Sequence, residues 1–66
     1  MGRYYIWAPF LANWICVADP AQPYYGHCDA VNDLYEASLF DKRGADRYMT
    51  SVVRADHAAK RKVVSA

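Results

Sequence analysis

Apolar and polar positions alternate along two short segments near the N-terminus. In residues 3–8, Tyr4, Ile6 and Ala8 fall on one side, and Arg3, Tyr5 and Trp7 on the other. Residues 14–18 resume the alternation, with Ile15 and Val17 opposite Trp14 and Cys16. Both segments are rich in strand-favouring residues. They predict an antiparallel β-hairpin whose connection, residues 9–13, is longer than a two-residue turn.

A helical period appears in the C-terminal half. Its apolar members recur at i, i+3, i+4, i+7 and i+8 and form one stripe: Ala45, Tyr48, Met49, Val52 and Val53. Such a stripe predicts a helix with one buried face. Either Asp41 caps its start or Gly44 breaks the chain before it, and Arg47 and Arg54 lie off the stripe, facing water.

The segment between these elements fits two periods. Two prolines make residues 19–23 a loop, and residues 24–28 suit a short extended segment. Asp29 resembles an N-cap, and the helical spacing of Val31, Leu34, Tyr35, Ser38 and Leu39 predicts a helix over residues 30–40. Residues 34–40 also alternate, which leaves a third strand open as the alternative.

The chain end and the overall size complete the expected fold. Residues 60–64 run from bases into Val63 and Val64, which suits a short edge strand or an ordered tail. We expect one α+β domain over residues 1–66, with the N-terminal antiparallel hairpin packed against one or two helices. So small a core needs large side chains for stability. The following are expected to supply them: Trp7, Trp14, Phe10, Phe40 and the six tyrosines.

Size and spacing argue against catalysis and metal binding. Sixty-six residues offer little room for a water-excluding cleft with supporting residues, so we expect no enzyme and no cofactor. The four soft ligands are Cys16, His27, Cys28 and His57. The two cysteines are twelve residues apart, whereas structural zinc sites draw ligands in close pairs. We therefore expect no metal, and a solvated His57.

The apolar N-terminal stretch raises the question of a targeting segment. Residues 4–18 follow Arg3, but Pro9 and Asn13 interrupt them and the aromatics suit a strand pair. Fifteen residues are also too few for a membrane-spanning helix, which needs about 20. We expect a cytoplasmic protein without a membrane partner, in which a disulfide between Cys16 and Cys28 does not form.

Charge is distributed very unevenly along the chain. Residues 4–41 contain no Lys or Arg and have five acids: Asp19, Asp29, Asp33, Glu36 and Asp41. Residues 42–66 have seven bases against two acids, a net +5. The first stretch predicts an acidic face with Tyr24, Tyr25 and Tyr35 as anchors, suited to a basic groove on a protein partner.

Two other interpretations of the charges remain open. In the first, Arg43, Arg47 and Arg54 fold back and pair with the acids, leaving an ordinary mixed surface. In the second, the basic half binds nucleic acid directly, through Lys42, Arg43, Arg47, Arg54 and residues 60–62. No nucleic-acid-binding motif accompanies these bases, so we rank this second interpretation below the acidic face.

Three features of the chain are its small size, its hairpin sequences YYIW (residues 4–7) and WICV (residues 14–17), and its acidic run over residues 29–41. In these features it resembles the anti-CRISPR proteins, which are small phage-encoded inhibitors of bacterial defence. The resemblance covers the whole chain without a diagnostic motif. It implies a non-enzymatic inhibitor in the cytoplasm of the bacterial host. Such an inhibitor would occupy the DNA-binding surface of a CRISPR effector or another nucleic-acid-binding complex as a DNA mimic. The +5 half departs from fully acidic mimics.

Overall fold

The computed structural model describes residues 2–24, 26 and 28–66, and for Cys28 it describes the backbone. These residues form an α+β fold with a four-stranded antiparallel sheet. The strands are β1 (Tyr4–Ala8), β2 (Asn13–Val17), β3 (Cys28–Val31) and β4 (Lys62–Ser65). Their order in the sheet is β3-β2-β1-β4, so β3 and β4 are the two edges.

The predicted N-terminal hairpin is confirmed. Trp7 lies opposite Trp14, and Ala8 lies opposite Asn13. Residues 9–12 connect the strands through two turn hydrogen bonds, from the Leu11 N–H to the Ala8 carbonyl and from the Ala12 N–H to the Pro9 carbonyl, each 3.1 Å long. The connection closes on Ala12 at φ 53°, a left-handed conformation that few non-glycine residues adopt.

The core follows from the alternation in the hairpin. Ile6 and Ala8 of β1 are buried together with Ile15 and Val17 of β2. Three residues from outside the hairpin complete this buried cluster: Phe40, Ala45 and Tyr48. The rings of Phe40 and Tyr48 pack with their centroids 5.9 Å apart. The helical layer therefore covers one face of the sheet.

Residues 38–40 bond to both strands of the hairpin. The Ser38 N–H donates to the Ile15 carbonyl at 3.1 Å, while Phe40 and Tyr4 exchange two backbone hydrogen bonds of 2.8 Å. The Ser38 hydroxyl accepts a hydrogen bond from the Val17 N–H at 2.8 Å and donates one to the Val17 carbonyl at 3.2 Å. The buried Ser38 hydroxyl thus satisfies the hydrogen-bonding capacity of the backbone groups at the end of β2.

The helix predicted over residues 30–40 is wrong, and so is Asp29 as its N-cap. Asp29 lies within β3, opposite Cys16. Asp33 bonds the Tyr35 N–H at 2.9 Å, and a turn follows instead of a helix. The apolar residues of the predicted helix do not pack into the core, because Leu34 and Leu39 are exposed and Tyr35 is 98% exposed. The alternative strand over residues 34–40 is realised only as the bridge between Phe40 and Tyr4.

The predicted C-terminal helix is confirmed and begins earlier than its stripe. Helix α1 (Lys42–Arg47) is capped by Asp41, whose carboxylate accepts from the Gly44 N–H at 2.6 Å. Gly44 does not break the helix, since it lies inside it, against the Pro20 carbonyl. A π-helical segment (Tyr48–Val52) continues α1, and a short helix α2 (Ala55–Ala58), which the sequence did not predict, follows.

The C-terminal edge strand is also confirmed, since β4 pairs with β1 along Lys62–Ser65.

The prediction that every large aromatic residue contributes to the core is wrong in part. Phe40 is fully buried, but Trp7 and Trp14 are half-buried and Phe10 is 86% exposed. None of the helices in the described ranges is long and apolar enough to span a bilayer.

Candidate functional site

The sheet face turned away from the helical layer carries aromatic side chains. Residues that alternate with the buried ones in β1 and β2, and their partners across the ladders, point to this side. We call this surface the open face, and it comprises Tyr5, Trp7, Trp14, Cys16, Asp29, Val31, Lys62 and Val64. Its central residues are only half-buried, so the hairpin leaves apolar area accessible on this face.

Three aromatic rings form a connected cluster at the centre of the open face. The Trp7 and Trp14 centroids are 4.8 Å apart with their planes at 61°. Tyr5 meets Trp14 at 5.7 Å and 63°, also edge to face. This geometry is favourable for aromatic pairs. These tryptophans were expected in the core, although the alternation already places both on the side opposite Ile6 and Ile15.

Three of the five predicted acids lie along one edge of the sheet, on β3 or in the turn that follows it. Asp29 lies on β3, at the margin of the open face, opposite Cys16. The turn that follows β3 contains Asp33, Tyr35 and Glu36, and the Glu36 N–H closes it on the Asp33 carbonyl at 3.0 Å. All four side chains are exposed. We call this set, Asp29, Asp33, Tyr35 and Glu36, the acidic edge.

The other two predicted acids lie at a different place. Asp19 and Asp41 line one cleft together with Arg3, and the remaining three acids are not among the described residues that line it. Both carboxylates also bond locally: Asp41 caps α1, and Asp19 accepts from the Ala21 N–H at 3.0 Å. The structure thus divides the acidic set into two groups.

The tyrosine anchors differ in their accessibility. Tyr35 is the most exposed of those described, at 98%, and belongs to the acidic edge. Tyr24 is 45% exposed and lies in the loop before β3. Tyr25 lies outside the described residues. Tyr35 is therefore the anchor with a defined position beside the acids.

Two of the arginines have backbone or local partners. Arg47 donates to the Ala21 carbonyl at 2.7 Å, and Arg54 contacts Asp56 at 3.7 Å. Within the described part of the chain, no ion pair joins Asp19, Asp33, Glu36 or Asp41 to a base. The interpretation in which arginines fold back onto these four acids does not match this arrangement.

The candidate metal ligands are only partly described. Cys16 is a free thiol, half-buried on the open face, and His57 is exposed on α2 beside Asp56. His27 and the side chain of Cys28 are outside the part of the chain that the structure describes. Among the described residues, no group of three or more His, Cys, Asp or Glu side chains is arranged to hold a metal ion.

No protein-family model, curated protein or solved structure matches this chain. The resemblance to anti-CRISPR proteins stays a prediction from the sequence.

Proposed function

We propose that this protein is a non-enzymatic inhibitor that places its acidic edge, with the adjoining aromatic residues of the open face, against the basic groove of a larger nucleic-acid-handling complex. The observation that supports this most is the sheet order. It puts β3, which leads into the acidic edge, and β4, which carries Lys62, at opposite edges.

Distance protects the acidic edge from neutralisation by the basic strand. β3 and β4 are three strand spacings apart in the sheet, a distance of about 14 Å. This exceeds the screening length of about 8 Å at physiological ionic strength. Asp33 and Glu36 also have no ion-pair partner among the described residues. A local negative field at the acidic edge would speed association with a positively charged groove and select it among other surfaces.

Aromatic side chains beside the acids would supply binding energy. Tyr35 projects from the turn with almost its whole surface accessible. Trp14 lies on the same face as Asp29, two residues from Cys16 along β2. Tyrosine and tryptophan are enriched at the energetic centres of protein interfaces, and charges around them set orientation. The arrangement suits a protein partner better than a small substrate.

Acidic side chains beside exposed aromatic residues would fit a basic groove that normally holds a nucleic acid. CRISPR effectors hold their heteroduplex in a positively charged channel, which makes them the proposed partner class. The inhibitor would then act stoichiometrically in the bacterial cytoplasm by excluding DNA. Because Asp19 and Asp41 line a separate cleft, the proposal assigns recognition to the acidic edge and not to all five acids.

The test measures displacement of DNA. Purified CRISPR effector complexes of several types are incubated with labelled target DNA and increasing amounts of this protein, and bound DNA is followed by fluorescence anisotropy. We expect a one-to-one loss of DNA binding with at least one complex, weakened by salt. The double variant Asp33→Lys/Glu36→Lys should raise the half-inhibitory concentration at least tenfold.

A charge-matched control uses acids outside the acidic edge. Asp46 and Asp56 are exposed and lie in the basic half, so Asp46→Lys/Asp56→Lys changes net charge equally. This control should inhibit like the unmodified protein. Equal loss in both double variants, or absence of inhibition with every complex, would contradict the proposal.

A second candidate function rests on Lys62. This base lies opposite Trp7 on the open face, so a nucleotide could stack on the aromatic cluster while its phosphate meets Lys62. Anisotropy with labelled 12-nucleotide single-stranded DNA and RNA tests it. Tight, salt-dependent binding that Lys62→Glu abolishes and Lys42→Glu preserves would favour this function over the inhibitor.

A further inference from the structure

A groove lies where the hairpin tip meets the end of α2. Its volume is about 420 Å³, and its apolar wall comes from Pro9, Phe10 and Leu11. The facing wall carries His57, Lys60 and Arg61. We call it the tip groove. It belongs neither to the acidic edge nor to the centre of the open face.

The two walls of the tip groove have complementary chemistry. Phe10 is 86% and Leu11 44% exposed, so the hairpin tip presents apolar surface that no described element covers. The basic wall has no acid among the described residues that line the groove. Asp56, the nearest acid along the chain, instead contacts Arg54 and His57. The groove therefore combines an apolar surface with the charges of Lys60 and Arg61, which have no ion-pair partner among the described residues.

Arg61 is the decisive residue. Its Nε is inaccessible to solvent and has no hydrogen-bond partner, and no ion pair joins its guanidinium to a described residue. The guanidinium of this half-buried residue is therefore only partly solvated, and its charge is unpaired within the described residues. A carboxylate in the groove would pair this charge by accepting two parallel hydrogen bonds from the Nη atoms, in the plane of the guanidinium.

We propose that the tip groove binds a free carboxylic acid with an apolar body. The apolar body would lie on Phe10 and Leu11, and the carboxylate would meet Arg61 and Lys60. The volume is within the range of small-molecule pockets, about 300 to 1,000 Å³, which favours a compact ligand over a protein segment. This site is independent of the proposed inhibition, so either can fail alone.

Titration followed by amide NMR tests the proposal with three probes. Octanoate supplies the apolar body and the carboxylate, octanol removes the charge, and an acetylated tetrapeptide ending in leucine presents a carboxylate on a peptide. We expect octanoate to shift amides of residues 10–12 and 57–61, and to bind about tenfold tighter than octanol, the effect of one charge-assisted contact. Equal binding of octanol, or tighter binding of the peptide, would overturn the assignment.

Variants separate the groove from general effects of charge. Arg61→Gln should weaken octanoate binding about tenfold, and Phe10→Ala should weaken octanoate and octanol alike. Arg43→Gln removes an exposed arginine outside the groove and should change nothing. If Arg61→Gln disturbs folding, the exposed Lys60→Gln replaces it and should weaken octanoate binding severalfold. Unchanged binding in Phe10→Ala, or in the basic-wall variant, would refute the site.

Discussion

Trp7 and Trp14 lie directly opposite each other in the hairpin, with ring centroids 4.8 Å apart and planes inclined at 61°. The pair is on the sheet face that the helices do not cover, so it stabilises the sheet from outside the core. A 66-residue chain has an expected stability of only about 3 to 5 kcal/mol, which makes such surface packing important.

Removing one member of this pair should destabilise the fold. For Trp14→Ala we expect a loss of about 2 kcal/mol in the free energy of unfolding, from lost apolar burial and the edge-to-face contact. Urea unfolding followed by far-ultraviolet circular dichroism measures it. Phe10→Ala is the matched control, because Phe10 is 86% exposed, and should change stability by no more than about 0.5 kcal/mol. Similar losses in both variants would contradict a specific contribution of the tryptophan pair to stability.

Ser38 should be more important than a serine on the surface. Its hydroxyl serves both the N–H and the carbonyl of Val17, so Ser38→Ala leaves buried backbone groups without partners. We expect a loss of about 1 to 3 kcal/mol in unfolding free energy. Thermal unfolding of Ser38→Ala beside Ser51→Ala, an exposed serine, makes the comparison. A serine-to-alanine change that costs the same at both positions would contradict the role of this hydroxyl.

Gly44 reverses the usual rule for helical glycines. Alanine normally stabilises a helix interior by about 1 kcal/mol relative to glycine. Here a Cβ would overlap the Pro20 carbonyl, so Gly44→Ala must push α1 away from the loop after β2. We expect Gly44→Ala to lower the unfolding free energy by about 1 to 3 kcal/mol in urea titrations. Stabilisation by alanine would mean that the loop moves aside without cost.

Asp41 allows capping and recognition to be separated. Asp41→Ala removes the helix cap and should cost about 1 kcal/mol, whereas Asp41→Asn keeps a capping oxygen and should cost only a few tenths. Because Asp41 lies outside the acidic edge, Asp41→Asn should retain DNA displacement. Chemical unfolding and the anisotropy assay, run on both variants, check these two statements. If Asp41→Asn folds normally but no longer displaces DNA, the recognition surface extends to the Asp19 and Asp41 cleft.

Local periodicity was enough to predict the hairpin and the C-terminal helix, although not the residue at which that helix begins. In β1, Ile6 and Ala8 are buried at every second position, and in the helical region Ala45 and Tyr48 are buried at helical spacing. Each of these patterns predicts one type of element, because it matches either the strand period or the helix period and not both. The same alternation also placed the tryptophans opposite the core residues.

Residues 29–41 could not be placed in this way. Leu34, Tyr35 and Leu39 fit the helix that we predict and also the alternative strand, and the hydrogen bonds that decide the outcome reach distant residues. Asp29 lies in a ladder with β2, and Ser38 bonds Val17, 21 positions away. A choice that depends on such partners is made only when the sheet assembles.

The sequence alone determined that acids and bases occupy separate halves of the chain, since this is a property of residue order. Only the tertiary structure decided which charges share a surface. The sheet order sends β3 and β4 to opposite edges and places Asp29, Asp33 and Glu36 along or just after the β3 edge, whereas Asp19 and Asp41 line a cleft elsewhere. Strand pairing between distant segments sets these positions, and no local pattern encodes it.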